Sequence, residues 1–345
     1  MSNVTKYATI ASLTVAGVIS LASISAHADG DVNVYSYRQP FLVKPLFDAF
    51  TKSTGIKVNV IFAKKGLIER VAQEGANSPA DVVLTTDISR LDLAEKRGIT
   101  QPLSSKILTS NIPAAFRDPK GNWFGLTQRA RVAYVSRKRV KQTAITYKEL
   151  ADPKWKGKIC IRSGQHDYNL GMIAGYMATH GEAATEKWLK GLKANLARRP
   201  SGNDRAQIKG VYAGECDIAI ANTYYMGAML TNKKNPEQKK WAHSVRILFP
   251  NTENGGSHVN LSGMVLAKHA PNRVNAVKLM EFLTGDDAQR IYASKNFEYP
   301  VKQAVAWSEL VQSWGKFKAD ETSLAKIAGL RTKASTLVDK VGFNN

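Results

Sequence analysis

Residues 216–230 read CDIAIANTYYMGAML, a short apolar run followed by a segment of helical composition. The apolar run predicts a buried strand over 217–221, and the change of pattern after it predicts that a helix begins near Tyr224. The phenols of Tyr224 and Tyr225 would then lie at the N-terminal end of that helix. Because a helix start carries unpaired N–H groups and a partial positive charge, it favours a phenolate over a phenol. Such a pair is also common in ordinary packing, so both interpretations stay open at this point.

Short strands and helices alternate around this segment. The chain of 345 residues is long enough for two lobes, each with its own core. Predicted strands at 32–35, 57–62 and 81–84 alternate with predicted helices at 41–53, 67–74 and 88–96, which indicates an α/β layer architecture. The stretch 123–136, WFGLTQRARVAYVS, predicts a long strand that passes from one lobe into the next. We expect the first lobe to contain residues 29–130 and about 251–300, the second lobe residues 131–250, and a helical C-terminal region residues 301–345.

The N-terminal residues 1–28 have the composition of a secretory signal peptide. Lys6 precedes an apolar run, and Ala26-His27-Ala28 has the small-x-small pattern of a cleavage site. We therefore expect cleavage after Ala28 and export to the periplasm, with an uncleaved anchor as the alternative. Since no other run is long and apolar enough to span a bilayer, stable membrane insertion is not expected.

The chain is strongly basic, with a formal net charge of +21, and removal of the signal peptide leaves +20 because it takes away one lysine and no acid. The Lys and Arg residues are spread along the chain without an arginine-rich tract, and the destination is outside the cytoplasm. We therefore expect no nucleic-acid partner. The sequence also lacks a GxxxxGK[ST] phosphate loop, a GxSxG elbow and an HExxH motif, so we do not expect an enzyme.

The chain has two cysteines, Cys160 and Cys216. In an oxidising compartment a disulfide between them is favoured over two free thiols. Cys160 precedes Tyr168 by eight residues, and Cys216 precedes Tyr224 by eight. A disulfide would therefore join two tyrosine-bearing segments at equal distances from the crosslink.

Five segments, taken in order, resemble the periplasmic ferric-iron-binding proteins of bacterial ABC importers, which are transferrin-like members of the periplasmic binding-protein class. The resemblance covers about residues 31–301. It implies a two-lobed α/β fold of type II with the ligand cleft between the lobes, a monomer, and delivery of Fe(III) to an inner-membrane permease and its ATPase. The segments are VYSYRQPFLVKPLFDAF (34–50), SPADVVLTTDISRL (78–91), WFGLTQRARV (123–132), ELADPKWKGKICIRSG (149–164) and ANTYYMG (221–227).

The resemblance also assigns the metal ligands residue by residue. Tyr224 and Tyr225 match the tyrosine pair of the family, and Tyr168, in HDYNLG (166–171), matches its third tyrosine. Some members add a histidine, in places with a tyrosine beside it, from the loop after the first strand. Here that loop contains Tyr37 and no histidine, so Tyr37 is the candidate for a fourth ligand.

The missing histidine indicates the subgroup in which a carbonate or bicarbonate ion completes the coordination of the metal. The resemblance implies that Arg38 and Arg129 hold this anion, with Gln39 and Arg131 as further candidates. Arginine fits the role because its planar guanidinium donates two parallel hydrogen bonds and stays charged at physiological pH.

The chemistry of the tyrosines supports the same assignment. Fe(III) is a hard cation that prefers oxygen donors, and a free phenol has a pKa of about 10, so binding to three phenols must release protons. The alternative is a binding protein for another small solute, such as a polyamine, thiamine or an inorganic anion. A polyamine would need clustered carboxylates, and an inorganic anion would not explain three tyrosines.

Overall fold

The structure, a computed structural model, describes Met1, residues 30–252 and residues 255–345. Apart from Met1, the predicted signal peptide and its cleavage site after Ala28 lie outside the described residues. The strands are β1 (Val32–Ser36), β2 (Val58–Phe62), β3 (Val82–Thr85), β4 (Phe124–Ser136), β5 (Ile159–Cys160), β6 (Ile218–Asn222), β7 (Val245–Leu248), β8 (Val259–Leu266) and β9 (Tyr299–Pro300). The helices are α1 (Pro40–Thr54), α2 (Leu67–Glu74), α3 (Ile88–Lys96), α4 (Lys106–Asn111), α5 (Asp167–His180), α6 (Glu182–Ala194), α7 (Asp204–Ala213), α8 (Tyr224–Leu230), α9 (Glu237–Ser244), α10 (Arg273–Thr284), α11 (Asp286–Ile291), α12 (Glu309–Gln312), α13 (Leu324–Gly329) and α14 (Arg331–Lys340).

Local sequence explains where several of these elements begin and end. Helix α1 ends at Thr54 and is capped by Gly55, whose φ of 75° is a left-handed conformation that glycine adopts without a steric penalty. Helix α3 begins after Asp87, whose carboxylate accepts a hydrogen bond of 2.9 Å from the Ser89 N–H. The predicted alternation of strands and helices is confirmed, and α2 and α3 have the predicted bounds.

Strand β4 joins two half-sheets. In the first, β1 pairs in parallel with β2 and β3, and β3 pairs antiparallel with β8. β4 pairs with β8 up to Ala130 and with β6 from Arg131 onward. In the second half-sheet, β7 pairs with the end of β4, and β5 pairs in parallel with β6. We call the part built on β1, β2, β3 and β8 the first lobe, and the part built on β5, β6 and β7 the second lobe. The predicted residue limits of the two lobes stay a prediction.

The second half of β4 lies between two hydrophobic clusters. Its side chains alternate, so Val132 and Tyr134 face one cluster while Ala133 and Val135 face the other. This burial on both faces explains why the strand is apolar without interruption from Val132 to Val135. It also fixes the direction in which each β4 side chain points at the junction of the lobes.

The predicted disulfide between Cys160 and Cys216 is confirmed, and both residues are buried. The two cysteines are 56 residues apart, so on the chain-entropy model the crosslink stabilises the second lobe by about 4 kcal/mol. Because β5 and β6 are parallel, the chain runs in the same direction from each cysteine to its tyrosine. Tyr168 and Tyr224 therefore both lie beyond the carboxyl ends of neighbouring parallel strands, at the same edge of the sheet.

The C-terminal helices contact both lobes. Helix α13 packs between α3 of the first lobe and α5 of the second, and α14 packs along α5. None of the helices in the described part of the chain has the length and apolar character needed to cross a bilayer.

Candidate metal centre

Three phenol groups meet where β5 and β6 lead into helices. Tyr168 is the second residue of α5, and Tyr224 and Tyr225 are the first two residues of α8. The hydroxyl oxygens of Tyr168 and Tyr224 are 3.1 Å apart, and the ring centroids of Tyr224 and Tyr225 are 4.6 Å apart. The structure therefore brings together all three tyrosines that the sequence singles out.

The phenols of Tyr224 and Tyr225 are neutral in the absence of a cation. Burial raises the pKa of Tyr225 to about 12, with a further contribution from the Asp204 carboxylate. Burial also raises the pKa of Tyr224 well above its ordinary value, and the neighbouring Tyr168 and Tyr225 add to this effect. The helix start favours phenolate, but burial has the larger effect here, because the loss of hydration disfavours any charged form. A bound cation would have to displace the protons.

A buried arginine positions two of these tyrosines. The Nη1 atom of Arg131 lies 2.6 Å from the Asp204 carboxylate, and its Nη2 donates to the Asn169 amide oxygen at 2.8 Å. Asn169 directly follows Tyr168. The Asn222 amide oxygen accepts from Nη1 at 3.2 Å, and the Asn222 amide nitrogen donates to the Tyr224 hydroxyl at 3.3 Å. Arg131 thus ties both tyrosine-bearing segments to one buried ion pair.

A second arginine lies against the outer face of this network. The Arg162 guanidinium is 3.2 Å from Asp204 and 5.3 Å from the centre of the Tyr168 ring. The His166 ring also contacts the Tyr168 ring, with centroids 4.5 Å apart. His166 begins α5 by accepting a hydrogen bond from the Tyr168 N–H at 3.2 Å. Burial lowers the pKa of His166 to about 4, so this imidazole is neutral at pH 7.

The two arginines predicted to hold an anion lie in the first lobe and converge on one serine. Arg38 donates to Ser262, and Arg129 Nη1 lies 3.4 Å from the same Oγ. Arg38 is also engaged by Glu298, whose two carboxylate oxygens are 3.0 and 2.9 Å from Nη2. Burial alone would lower the pKa of Arg38, but the Glu298 carboxylate and the neighbouring groups together raise it. A protein carboxylate therefore already pairs with Arg38.

Arg129 is buried and, among the residues that the structure describes, has no such close carboxylate partner. Its Nη2 donates to the Thr86 carbonyl oxygen, and the nearest carboxylate, on Asp87, is 4.0 Å away. A small polar cavity separates it from the tyrosines. The residues that line this cavity are Arg129, Arg131, Tyr168, Asn222, His258 and Asn260.

The other two candidates from the first lobe are placed differently. The Tyr37 hydroxyl accepts a hydrogen bond of 2.9 Å from the Ile68 N–H at the start of α2, and the Arg90 guanidinium lies 4.2 Å from the ring centre. Gln39 is exposed at the start of α1, and its side chain makes no capping hydrogen bond there. The structure shows Tyr37 engaged with α2 and Gln39 facing solvent.

Sequence reasoning missed most of the supporting groups. Asn169 and Asn222 lie within two residues of a predicted ligand, so proximity in the chain was a usable signal for them. Glu298 and Ser262 had no such signal, because they are 260 and 224 residues from Arg38 in the chain. Within the described residues, no group of three or more His, Cys, Asp or Glu side chains could hold a metal ion.

Comparisons with known proteins identify the family. Residues 77–319 match the family described as bacterial extracellular solute-binding protein. Iron uptake protein A1 of Synechocystis sp. is 47% identical over 315 residues, which cover 91% of this chain and 87% of that protein. The solved structure of the Bordetella ferric binding protein has 48% identity and a TM-score of 0.87, covering 91% of this chain and 100% of its own.

A third relative is the Trichodesmium FutA protein, solved in complex with iron and citrate ligands. It is 44% identical, with a TM-score of 0.87, and the match covers 91% of this chain and 100% of that one. These similarities extend over both half-sheets and confirm the predicted two-lobed solute-binding fold. The chain belongs to the bacterial extracellular solute-binding protein family.

Proposed function

We propose that this protein captures Fe(III) in the periplasm through Tyr168, Tyr224 and Tyr225 and delivers it to an ABC permease and its ATPase. The observation that carries the proposal is the convergence of three phenols, with the Tyr168 and Tyr224 oxygens 3.1 Å apart. Two oxygen atoms at this distance can both coordinate a single cation. The names of the relatives, which describe iron uptake and ferric binding, support the same cargo.

The charge of the site fits a trivalent cation. Three phenolates cancel the charge of Fe(III), and oxygen donors suit a hard cation better than sulfur donors do. The nearby carboxylates are already paired, Asp204 with Arg131 and Glu298 with Arg38. A polyamine would need unpaired carboxylates, so the geometry favours Fe(III) over the alternative of another small solute.

Titration of the purified mature protein with Fe(III) tests this function. We expect a visible phenolate-to-iron charge-transfer band that saturates at one iron per chain, because phenolate coordinated to Fe(III) absorbs visible light. Spermidine, thiamine and phosphate serve as comparison ligands in a thermal-shift assay. Stabilisation by one of these three, with no visible band and no retained iron, would reject the ferric function and support the alternative.

We further propose that a carbonate-type anion completes the iron site, held by Arg129 with Arg38. The cavity between Arg129 and Tyr168 supports this placement, since its lining offers guanidinium and amide donors. The Glu298 carboxylate already neutralises the charge of the Arg38 guanidinium, so the charge of Arg129 remains to neutralise the anion. A monoanion such as bicarbonate therefore fits the charge of the site better than a dianion does.

Two variants test the anion in opposite directions. Arg129→Ala removes the main anion donor, and we expect a loss of about 2 to 4 kcal/mol in iron binding. Glu298→Gln leaves Arg38 without its partner, so binding should depend more steeply on added bicarbonate. The measurement is iron titration with and without bicarbonate. Equal binding by wild-type protein in both buffers, with no small anion in the site, would remove the anion from the proposal.

The remaining features of the proposal concern the exported protein. We propose that the signal peptide is cleaved after Ala28, that the mature chain is a monomer, and that it binds its cargo without chemical turnover. The family match and the periplasmic relatives support export.

A further inference from the structure

Arg331, the first residue of α14, contacts a carboxylate in each lobe. Its Nη1 lies 2.8 Å from Asp87 at the start of α3, and its Nη2 lies 2.8 Å from Asp167 at the start of α5. Asp87 follows strand β3 of the first lobe, and Asp167 follows strand β5 of the second. The guanidinium is 13% exposed, so water screens these pairs only in part.

Helix α14 is attached to the second lobe. The Gln165 amide donates to the Ser335 carbonyl at 3.0 Å, and the Gly164 N–H donates to the Asn344 side chain at 2.8 Å. Arg331 should therefore move with the second lobe. Its contact with Asp167 lies within that lobe, whereas its contact with Asp87 crosses between the lobes.

The first-lobe partner is held firmly. The Asp87 carboxylate is buried, begins α3 and accepts a 2.8 Å hydrogen bond from Asn260. Burial alone would raise the pKa of Asp87, but Arg331 and Arg129 hold it below its usual range, so the group is charged. A second ion pair also joins the lobes, with its arginine in the first lobe and its carboxylate in the second: Arg90 lies 3.6 Å from Asp167.

The residue that follows Asp167 is Tyr168. We propose that Arg331 is a positioning residue that joins the two lobes beside the tyrosine cluster and slows the release of the bound cargo; this rests on the proposed ferric function. Two-lobed binding proteins close around a ligand by hinge motion. A contact that holds the lobes together favours the closed arrangement, and so raises the affinity for whatever lies between the lobes by at most the free energy of the contact.

Iron release from the mature protein tests the role of Arg331. Fe(III)-loaded protein is mixed with excess EDTA, and the visible band is followed in time. We expect Arg331→Ala to release iron about tenfold faster, the change that corresponds to about 1.4 kcal/mol. The band maximum should stay the same because no ligand is altered. The release rate of Arg331→Lys should lie between those of wild type and Arg331→Ala, since one ammonium cannot reproduce a planar guanidinium that holds two carboxylates.

Lys333→Ala is the matched control. Lys333 lies on the same helix, its side chain is 65% exposed, and its ammonium is 3.9 Å from Glu182 of the same lobe. This variant loses the same charge without a contact to the first lobe, so it should release iron at the wild-type rate. Wild-type release by Arg331→Ala, or equal acceleration by Lys333→Ala, would overturn the role of Arg331. If Arg331→Ala does not fold, the release rate of Arg331→Lys is the test, and a rate equal to that of wild type would overturn the role of Arg331.

Small-angle X-ray scattering of the metal-free proteins separates this inference from the ferric function. We expect a larger radius of gyration for Arg331→Ala than for wild type and Lys333→Ala, because the lobes are less restrained. If wild-type protein takes up no Fe(III), the ferric function fails but the scattering comparison still applies. Equal radii in the three proteins would then reject the contribution of Arg331 to lobe closure.

Discussion

Tyr224→Phe and Tyr225→Phe should each lose the visible charge-transfer band and most of the affinity for Fe(III) while keeping the fold. Each change removes one donor oxygen but leaves the ring, so the contact between the two rings at 4.6 Å is retained. Groups that only support a metal ligand typically contribute 10- to 100-fold in affinity, so loss of a direct ligand should exceed about 100-fold. Iron content after dialysis and absorbance in the visible range measure both effects.

The effect on stability should be small by comparison. Tyr224→Phe also removes the hydrogen bond to Tyr168, which is worth about 1 kcal/mol in a typical fold. Tyr212→Phe is the control, because Tyr212 is a tyrosine with a 46% exposed side chain on α7 and no role in the cluster. If Tyr224→Phe and Tyr225→Phe both keep the wild-type band and iron content, the pair serves packing alone and the ferric site is wrong.

Affinity for Fe(III) should fall steeply as the pH is lowered. Burial holds the pKa of Tyr225 at about 12 and that of Tyr224 well above its ordinary value, so the metal-free phenols keep their protons at neutral pH. Binding therefore releases protons, and acid opposes it. With three phenols as ligands, the affinity should change by about a thousandfold per pH unit, tenfold for each proton released.

Competition with a chelator between pH 6 and about 8, corrected for protonation of the chelator, measures this slope. The Tyr168→Phe protein is the internal comparison, because with one phenol fewer its slope should fall from three protons to two. A wild-type slope near zero would mean that the phenols do not ionise when iron binds. The tyrosines would then lie near the metal without coordinating it.

The parts of the molecule that local pattern predicts are those in which neighbours in the chain are also neighbours in space. Helices α2 and α3 have the predicted bounds because their apolar residues recur with helical spacing and each faces one core. Helix α7 was not predicted, because buried Asp204 and Gln207 occupy its inner face where apolar residues would mark the periodicity. Asp204 is buried there because it pairs with Arg131.

The sequence alone determined the α/β class and the cysteine pair, and the family resemblance of its segments singled out the three tyrosines. Two cysteines in a chain leave only one intramolecular pairing, so no tertiary information was needed for the disulfide. The tertiary structure decided which charges accompany the tyrosines. Glu298 reaches Arg38 across 260 residues and Arg331 reaches Asp87 across 244. Contacts between residues so far apart in the chain produce no periodic pattern in the sequence, because they depend on how the two half-sheets and the C-terminal helices pack together.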